Sequence, residues 1–521
     1  MDRYVPWADS LTEVYQDEPP ADEATSMVKE RWSRLLLFFR QTYNQEPDFV
    51  SRSPGRVNVI GEHIDYSLYD VLPMAISADV LVAIKIVANS DTPKVRLTNM
   101  NSEKFPSQEW KLGRNGEIEI DASTHEWTNY FKAGMRGASK YLQERKHKDI
   151  SVASMDVVVD GNVPAGGGMS SSAALVCASA LAVIIANGDP DVSKQDLFDL
   201  AVVSERAVGV FSGGMDQAAS IFCRKDHLLA CSFFPSFRTG HVPVPASSTG
   251  VIFLVAQSFV AADKHVTAPQ QYNLRVVECT LAAVLLAKMH NVQLQHDSSP
   301  LGYSLRGFQA KVKDQGYIRP QAPDDELATM RSIIEDSLDQ EDGYTRDELA
   351  ELLEITVEKL EAEYMCQFPV LTDRFHLRNR ALHVVNEARR VLSFNSILCQ
   401  AQERQANLTE AELQSLGELM NRTQESCSEM YDCSTSELDE ICAIARKSGS
   451  YGSRLTGAGW GGCTVHLIPT KCLEQVKKSL RDEYYLKKYP EMSPSLLEEA
   501  MVVSKPGPGS ALIKSAALQA L

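Results

Sequence analysis

Residues 163–183, VPAGGGMSSSAALVCASALAV, decide how the chain is read. Gly166, Gly167 and Gly168 let the backbone turn tightly and approach a ligand without side-chain collision. Ser170, Ser171 and Ser172 follow where a helix should begin. From Ala173 onward, AALVCASALAVIIANG is Ala-rich and almost wholly apolar, which predicts a buried helix of about 15 residues. The preceding run, SVASMDVVVDGNVP (151–164), reads as a strand. A flexible loop needs no rigid helix behind it, whereas an anion site does. The first turn of such a helix has unpaired N–H groups and a positive dipole end, which suits the β and γ phosphates of ATP. The GxxxxGK[ST] pattern is missing, so this is not a Walker loop, and it is not a dinucleotide fingerprint.

Outward from this turn, strands and helices alternate. Apolar positions at helical spacing run from Met27 to Phe39, and RVNVI (56–60) and VLPMAISADVLVAIKIV (71–87) read as strands with Asp65 and Asp70 between them. WTNYFKAGMRGASKYLQE (127–144), Lys194 to Val208 and a segment after Met215 are predicted helices. The Pro-, Ser- and Gly-rich stretch near 235–249 marks a boundary before a strand at 251–258. This divides the chain into an extension at 1–27, a first lobe at 28–245 and a second lobe at 246–521. The second lobe is elaborated at about 294–345 by solvated, partly acidic helices and loops, and a partner surface is the other reading of that region. Thr409 with Glu412 and Ser434 with Glu437 have capping-box spacing and mark helix starts. Ser453 to Pro469 reads as a glycine turn feeding the strand CTVHLIP, followed by a helix from Leu473 to Tyr485.

The whole-chain properties narrow the function. Its 521 residues exceed what a single core usually spans, about 250 to 300, so two lobes with a cleft are expected. A formal charge of −17, from 69 acidic and 52 basic side chains, opposes attraction to nucleic acid or an anionic membrane. The opening residues lack a secretory signal pattern and no apolar run is long enough to span a bilayer, so a cytoplasmic location is expected. The 11 cysteines are scattered without zinc-ligand spacing and are expected to be reduced. With no coiled coil in the pattern, a monomer is expected.

Three blocks, PGRVNVIGEHIDY (54–66), GGGMSSSAAL (166–175) and SRLTGAGWGGC (453–463), resemble the GHMP small-molecule kinase superfamily and, within it, the galactokinases, fungal ones above all. GGMDQAA (213–219) and YNLRVVEC (272–279) add to the likeness, which runs from about Val28 to the end. The resemblance implies an α/β fold of two lobes with mixed sheets and the active site in the interlobe cleft. It implies sugar contacts from Arg56, Glu62, His63, Asp65, Gly213, Asp216 and Tyr272, with Asp216 the catalytic base and Arg56 its partner. It assigns Gly166, Gly167, Gly168, Met169, Ser170, Ser171, Ser172 and Ala173 to the ATP phosphate loop and Trp127 to the adenine. Ser171 and Glu205 take the positions of magnesium ligands, and the Gly457–Gly462 turn helps complete the site. Met169 stands where leucine is familiar; methionine fills a similar volume.

The implied reaction is transfer of the γ-phosphoryl group of ATP to the C1 hydroxyl of galactose. Two other readings stay open on the sequence. GEHIDY, VLPMA and GGMDQ also resemble N-acetylgalactosamine kinases. A galactose- and ATP-responsive regulator that binds a transcriptional repressor would retain the same ligand motifs. Taken singly, His63 is an ordinary satisfied histidine, Asp216 a cap, Glu205 a surface ion-pair partner, and Tyr272 and Trp127 packing residues; the roles above rest on the joint pattern.

Overall fold

The computed structural model describes residues 3–16, 23–87, 93–112, 118–121, 124, 126–146, 152–164, 167–206, 208, 213–247, 250–260, 267–319, 322–366 and 369–518. Strands β1 (Trp7–Ala8), β2 (Phe49–Ile60), β3 (Leu72–Val87), β4 (Lys94–Asn99), β5 (Gln108–Lys111), β6 (Ser154–Gly161) and β13 (Ala511–Lys514) form one sheet in the order β1-β13-β2-β3-β6-β4-β5. Every residue of β2 is buried. It carries Val50, Val57, Val59 and Ile60 but also buried Ser51, Arg52, Ser53, Arg56 and Asn58, so burial on both faces is met by polar partners as well as by apolar packing.

Helices α1 (Leu11–Tyr15) and α2 (Glu23–Tyr43) lie near the start of the chain, with Trp32, Leu35 and Phe39 of α2 packed on Val50, Leu81 and Val158 of the sheet. On the opposite face sit α3 (Thr128–Lys146), α4 (Ser171–Ala186), α5 (Lys194–Arg206) and α6 (Met215–Phe222). Residues Ala173 to Ala186 of α4 are all buried. A helix apolar all round can only sit at the centre of a layer, and α4 touches β2, β3, α3, α5 and α6. The Ser51 hydroxyl donates to the Ala178 carbonyl at 3.0 Å, so a buried serine of β2 is satisfied by the helix above it.

A second, antiparallel sheet comprises β9 (Val251–Gln257), β10 (Gly452–Thr456), β11 (Cys463–Pro469) and β12 (Met501–Ser504), in the order β10-β11-β9-β12. Strands β7 (His227–Ser232) and β8 (Arg238–Pro243) pair separately. Helices at Leu377–Glu403 and Glu410–Glu429 touch β2 of the first sheet, and Glu410–Glu429 also touches β10 of the second; helices at Tyr272–Met289, Leu305–Asp314 and Pro323–Ser337 pack on this pair or on one another. One apolar cluster runs from the first sheet through these helices to Val255 and Val465 of the second, while the other face of the second sheet packs Leu254, Ile468, Tyr484 and Tyr485. Among the described residues no helix is long and apolar enough to cross a membrane.

Several local expectations shift. SRLT, read as part of a glycine turn, is strand β10. The helix expected over 473–485 is α-helical only at Leu473–Ser479 and continues as a π-helical turn over Leu480–Tyr485. The box at Thr409 and Glu412 forms with both bonds. That at Ser434 and Glu437 does not: Thr435 caps the helix by accepting from the Leu438 amide at 3.4 Å, while Ser434 donates to Asp439 at 2.8 Å. The acidic helix Pro323–Ser337 buries Leu327, Met330 and Ile334, and it packs on the 377–403 helix. All 11 cysteines are free thiols.

Candidate active site

The β2–β3 ladder breaks register between Pro54 and Arg56, and there the Arg56 amide donates to the Met169 carbonyl at 3.1 Å. This bond seats the glycine turn against the strand. The Arg56 side chain, only 3% exposed, then spans the site. Its Nη1 donates to the Gly168 carbonyl at 2.6 Å, and its Nε and Nη2 reach Asp216 Oδ1 at 2.8 and 2.7 Å. The other oxygen of Asp216 accepts from the Ser170 hydroxyl. Ser170 is the N-cap residue of α4, in a left-handed backbone with φ 59°, and its hydroxyl goes to Asp216, so no side chain caps α4. That leaves the first-turn N–H groups and the positive end of the helix to an anion.

Asp216 lies in the first turn of α6, and its neighbour Gln217 donates to Glu205 Oε2. Glu205 Oε1 accepts from the Ser172 hydroxyl at 2.7 Å. The resemblance pairs Glu205 with Ser171; the structure brings Ser172 to it instead. Successive helical side chains point about 100° apart, and it is the second residue of α4 that faces α5. One helical turn of α6 therefore touches both the Arg56–Asp216 pair and the Ser172–Glu205 pair.

Asp65 opens a 3₁₀ turn in the loop between β2 and β3. Its carboxyl is pushed up to about 6 by burial and then by the charge of Asp216, with His63 opposing. Gly213 passes so close that a Cβ there would lie 2.4 Å from Asp65 Oδ2, a position no other residue could hold without displacing the carboxylate. Half-buried Tyr272 stands beside the same group, its hydroxyl pushed well up by burial and by Asp65 and Asp216.

Glu62 and His63, expected to meet a sugar, are engaged by protein. Glu62 Oε2 accepts from Arg454 and from the Gly457 amide, the latter at 3.1 Å. The His63 ring pairs Nδ1 with the Tyr66 hydroxyl and Nε2 with the Ala458 carbonyl, both at 2.9 Å. Tyr272, Tyr431 and Trp460 surround it with ring centroids 5.7, 5.1 and 5.7 Å away. These two side chains dock the turn between β10 and β11 onto the 61–66 loop. Arg454 was not singled out from the sequence, and its partner lies 392 residues away.

Gly166 lies outside the described residues. Met169 and Ala173 are buried, and Gly167 and Gly168 rest against Gly457, Gly462 and Cys463. Trp127 is half-buried, its indole N–H donating to the Pro106 carbonyl at 2.9 Å with Phe105 edge-on at 6.1 Å.

Three family descriptions match the chain: "Galactokinase galactose-binding signature" over residues 37–86, "GHMP kinases N terminal domain" over 129–224 and "GHMP kinases C terminal" over 405–486. The chain is 40% identical to galactokinase of Saccharomyces cerevisiae over 531 residues, covering 96% of this chain and 99% of the relative. It is 38% identical to galactokinase of Schizosaccharomyces pombe, covering 94% and 96%. The crystal structure of Lactococcus lactis galactokinase complexed with galactose superposes with a TM-score of 0.65 at 21% identity, covering 92% of this chain and 99% of that one, a likeness of fold. With matched segments in both halves and near-complete coverage by relatives of this similarity, the chain belongs to the galactokinase family of GHMP kinases.

Proposed function

We propose that this chain transfers the γ-phosphoryl group of ATP to the C1 hydroxyl of α-D-galactose, giving galactose 1-phosphate and ADP. The observation that carries the reading is the Arg56–Asp216–Ser170 contact at the start of α4. A carboxylate held there by a guanidinium can accept the proton of the attacking hydroxyl, while the helix N-terminus and the 167–173 turn receive the phosphates. Arg56, shared between Asp216 and the Gly168 carbonyl, lies where it can also offset charge developing on the transferred group. Asp65, Gly213 and Tyr272 form the wall on which the sugar hydroxyls would be read, with Glu62 and His63 behind them as supports. Trp127 is assigned to the adenine by family likeness.

The donor set also fits a magnesium ion. Among the described residues no group of three or more His, Cys, Asp and Glu side chains could hold a metal by itself. Ser172 and Glu205 offer hydroxyl and carboxylate oxygens, the ligands of an ion that arrives largely held by nucleotide phosphates; Ser171 remains the family's position. When bound, the ion would neutralise phosphate charge. The residues of the chain position and deprotonate, and no phosphoenzyme is needed.

The test is ADP release by purified protein with Mg-ATP and, separately, galactose, N-acetylgalactosamine, glucose or no sugar. Galactose-dependent turnover that Asp216→Asn lowers about 10³-fold in folded protein is the expected result. Preference for N-acetylgalactosamine, or sugar binding without turnover, would overturn it.

A further inference from the structure

Behind the loop that carries Glu62, His63 and Asp65 lies a helix that none of the signature blocks includes. Glu387 of the 377–403 helix accepts two consecutive backbone N–H groups on Oε1, from Gly61 at 2.7 Å and Glu62 at 3.1 Å. Its Oε2 accepts from Arg390 Nε at 2.6 Å and the Thr423 hydroxyl at 2.8 Å. One turn earlier, His383 bonds the Glu62 carbonyl through Nε2 at 3.0 Å and Ser426 Oγ through Nδ1 at 2.8 Å. Residues four apart project from one helix face, so a single face grips both sides of the Glu62 peptide.

We propose that Glu387 and His383 are positioning residues for the sugar: by holding the main chain at Gly61–Glu62 they fix the direction in which Asp65 meets the site, with Glu62 and His63 supporting it from behind.

The proposal rests on the galactokinase reading above for its substrate. Both side chains have zero exposure, and a buried carboxylate is a poor way to gain stability, since well-packed apolar groups often do as well. What the carboxylate can do, and an apolar group cannot, is orient N–H donors. The gripped segment requires orienting: Gly61 has φ 106° and His63 φ 60°, so the chain passes through two left-handed residues within three, a conformation that persists only where its surroundings hold it. The protonation states suit the task. Burial would raise the Glu387 carboxyl, but the charges of Arg390 and Arg454 outweigh it and hold it down at about 2. Burial, against the pull of Glu387, holds His383 down at about 3. A neutral imidazole then donates from Nε2 to the Glu62 carbonyl and accepts the Ser426 hydroxyl at Nδ1.

Hydrogen–deuterium exchange of the 57–68 peptide reads the brace without substrate, and steady-state kinetics with Mg-ATP and galactose reads its consequence. Glu387→Ala is expected to speed exchange at Gly61 and Glu62 and to raise KM for galactose about tenfold or more, with KM for ATP within about twofold. Glu387→Gln, which keeps an acceptor oxygen, should recover most of both. A folded Glu387→Ala with wild-type exchange or wild-type galactose KM overturns the proposal. So does an equal rise in both KM values, the mark of general loosening, or a Gln variant no better than Ala. Should Glu387→Ala fail to fold, Thr423→Val removes one Oε2 partner and leaves Oε1 in place. A galactose-specific rise of about threefold supports the proposal there, and none overturns it. A wild type inactive on galactose sinks the substrate reading instead. The exchange arm then still decides the brace, and the kinetic arm is run with the sugar the wild type does phosphorylate.

Discussion

Asp65 and Asp216 are two carboxylates in one corner, and their surroundings separate them. Asp216 has a guanidinium on one oxygen and a serine on the other; Asp65 is buried beside its charge and is raised to about 6. A raised carboxyl stabilises the fold fully below its unfolded value of about 3.9, and that contribution is lost as pH rises through about 6. Hydrogen bonding to a sugar hydroxyl runs the other way, since the ionised form is the stronger acceptor. Between pH 5 and 7, thermal stability and kcat/KM for galactose should therefore move in opposite directions, kcat/KM falling about fivefold from pH 6 to 5. Asp65→Asn should flatten the stability change across that window. Parallel pH profiles of melting temperature and kcat/KM check both; a pH-independent kcat/KM would remove Asp65 from the site. At this scale the family's motifs marked residues more surely than contacts. Arg56 and Asp216 were named as partners and do meet, whereas Ser171 was named for Glu205 and Ser172 meets it, because a run of three serines does not show which one faces the neighbouring helix.

At the scale of elements, two glycine turns lean on each other. A Cβ on Gly457 would lie 2.4 Å from the Gly168 carbonyl oxygen, and the φ of Gly457 is +90°. The turn that closes the site from the second sheet thus touches the turn expected to hold phosphate, backbone against backbone. Gly457→Ala must push these segments apart and adopt a costly conformation, about 1–2 kcal/mol from the backbone alone. The expected outcome is a lower melting temperature together with a larger rise in KM for ATP than for galactose. Equal rises would show that the contact serves stability only. Helices were legible here because periodicity and caps are local: α4 and the Thr409 box appear where expected. Strand β10 was hidden by the glycines that follow it, and a cap slipped from Ser434 to Thr435 because adjacent hydroxyl residues both offer an oxygen that can accept the helix N–H.

Across the whole molecule, what sequence could not show is where its ends go. Strand β13 inserts between β1 and β2, antiparallel to β2, so residues beyond 510 complete a sheet that begins at residue 7, although 246–521 was expected to be the second lobe. No local pattern encodes a partner more than 450 residues away. The reason for the insertion lies in one buried network. Arg52 of β2 donates to the carbonyls of Pro508 and Gly509 at 3.0 and 3.1 Å and pairs with Asp79 of β3 at 2.6 Å. Arg31 of α2 binds the other oxygen of Asp79 at 2.6 Å, and the Tyr15 hydroxyl donates to Asp79 at 2.9 Å. Burial would raise the Asp79 carboxyl, but Arg31 and Arg52 outweigh it and hold it below its usual value. A depressed carboxyl contributes stability that is present above its unfolded value and is lost as pH falls through the folded one. Removing the shared anion leaves Arg52 buried without its charge partner, and breaking such a pair costs about 3–5 kcal/mol. Asp79→Asn should therefore lower the melting temperature sharply at neutral pH and shrink its loss in acid, while the fraction that stays folded keeps wild-type KM for galactose and ATP. If that fraction instead lost galactose affinity, the network would be holding the 61–66 loop as well as the chain end, and the sheet would be part of the site rather than its platform.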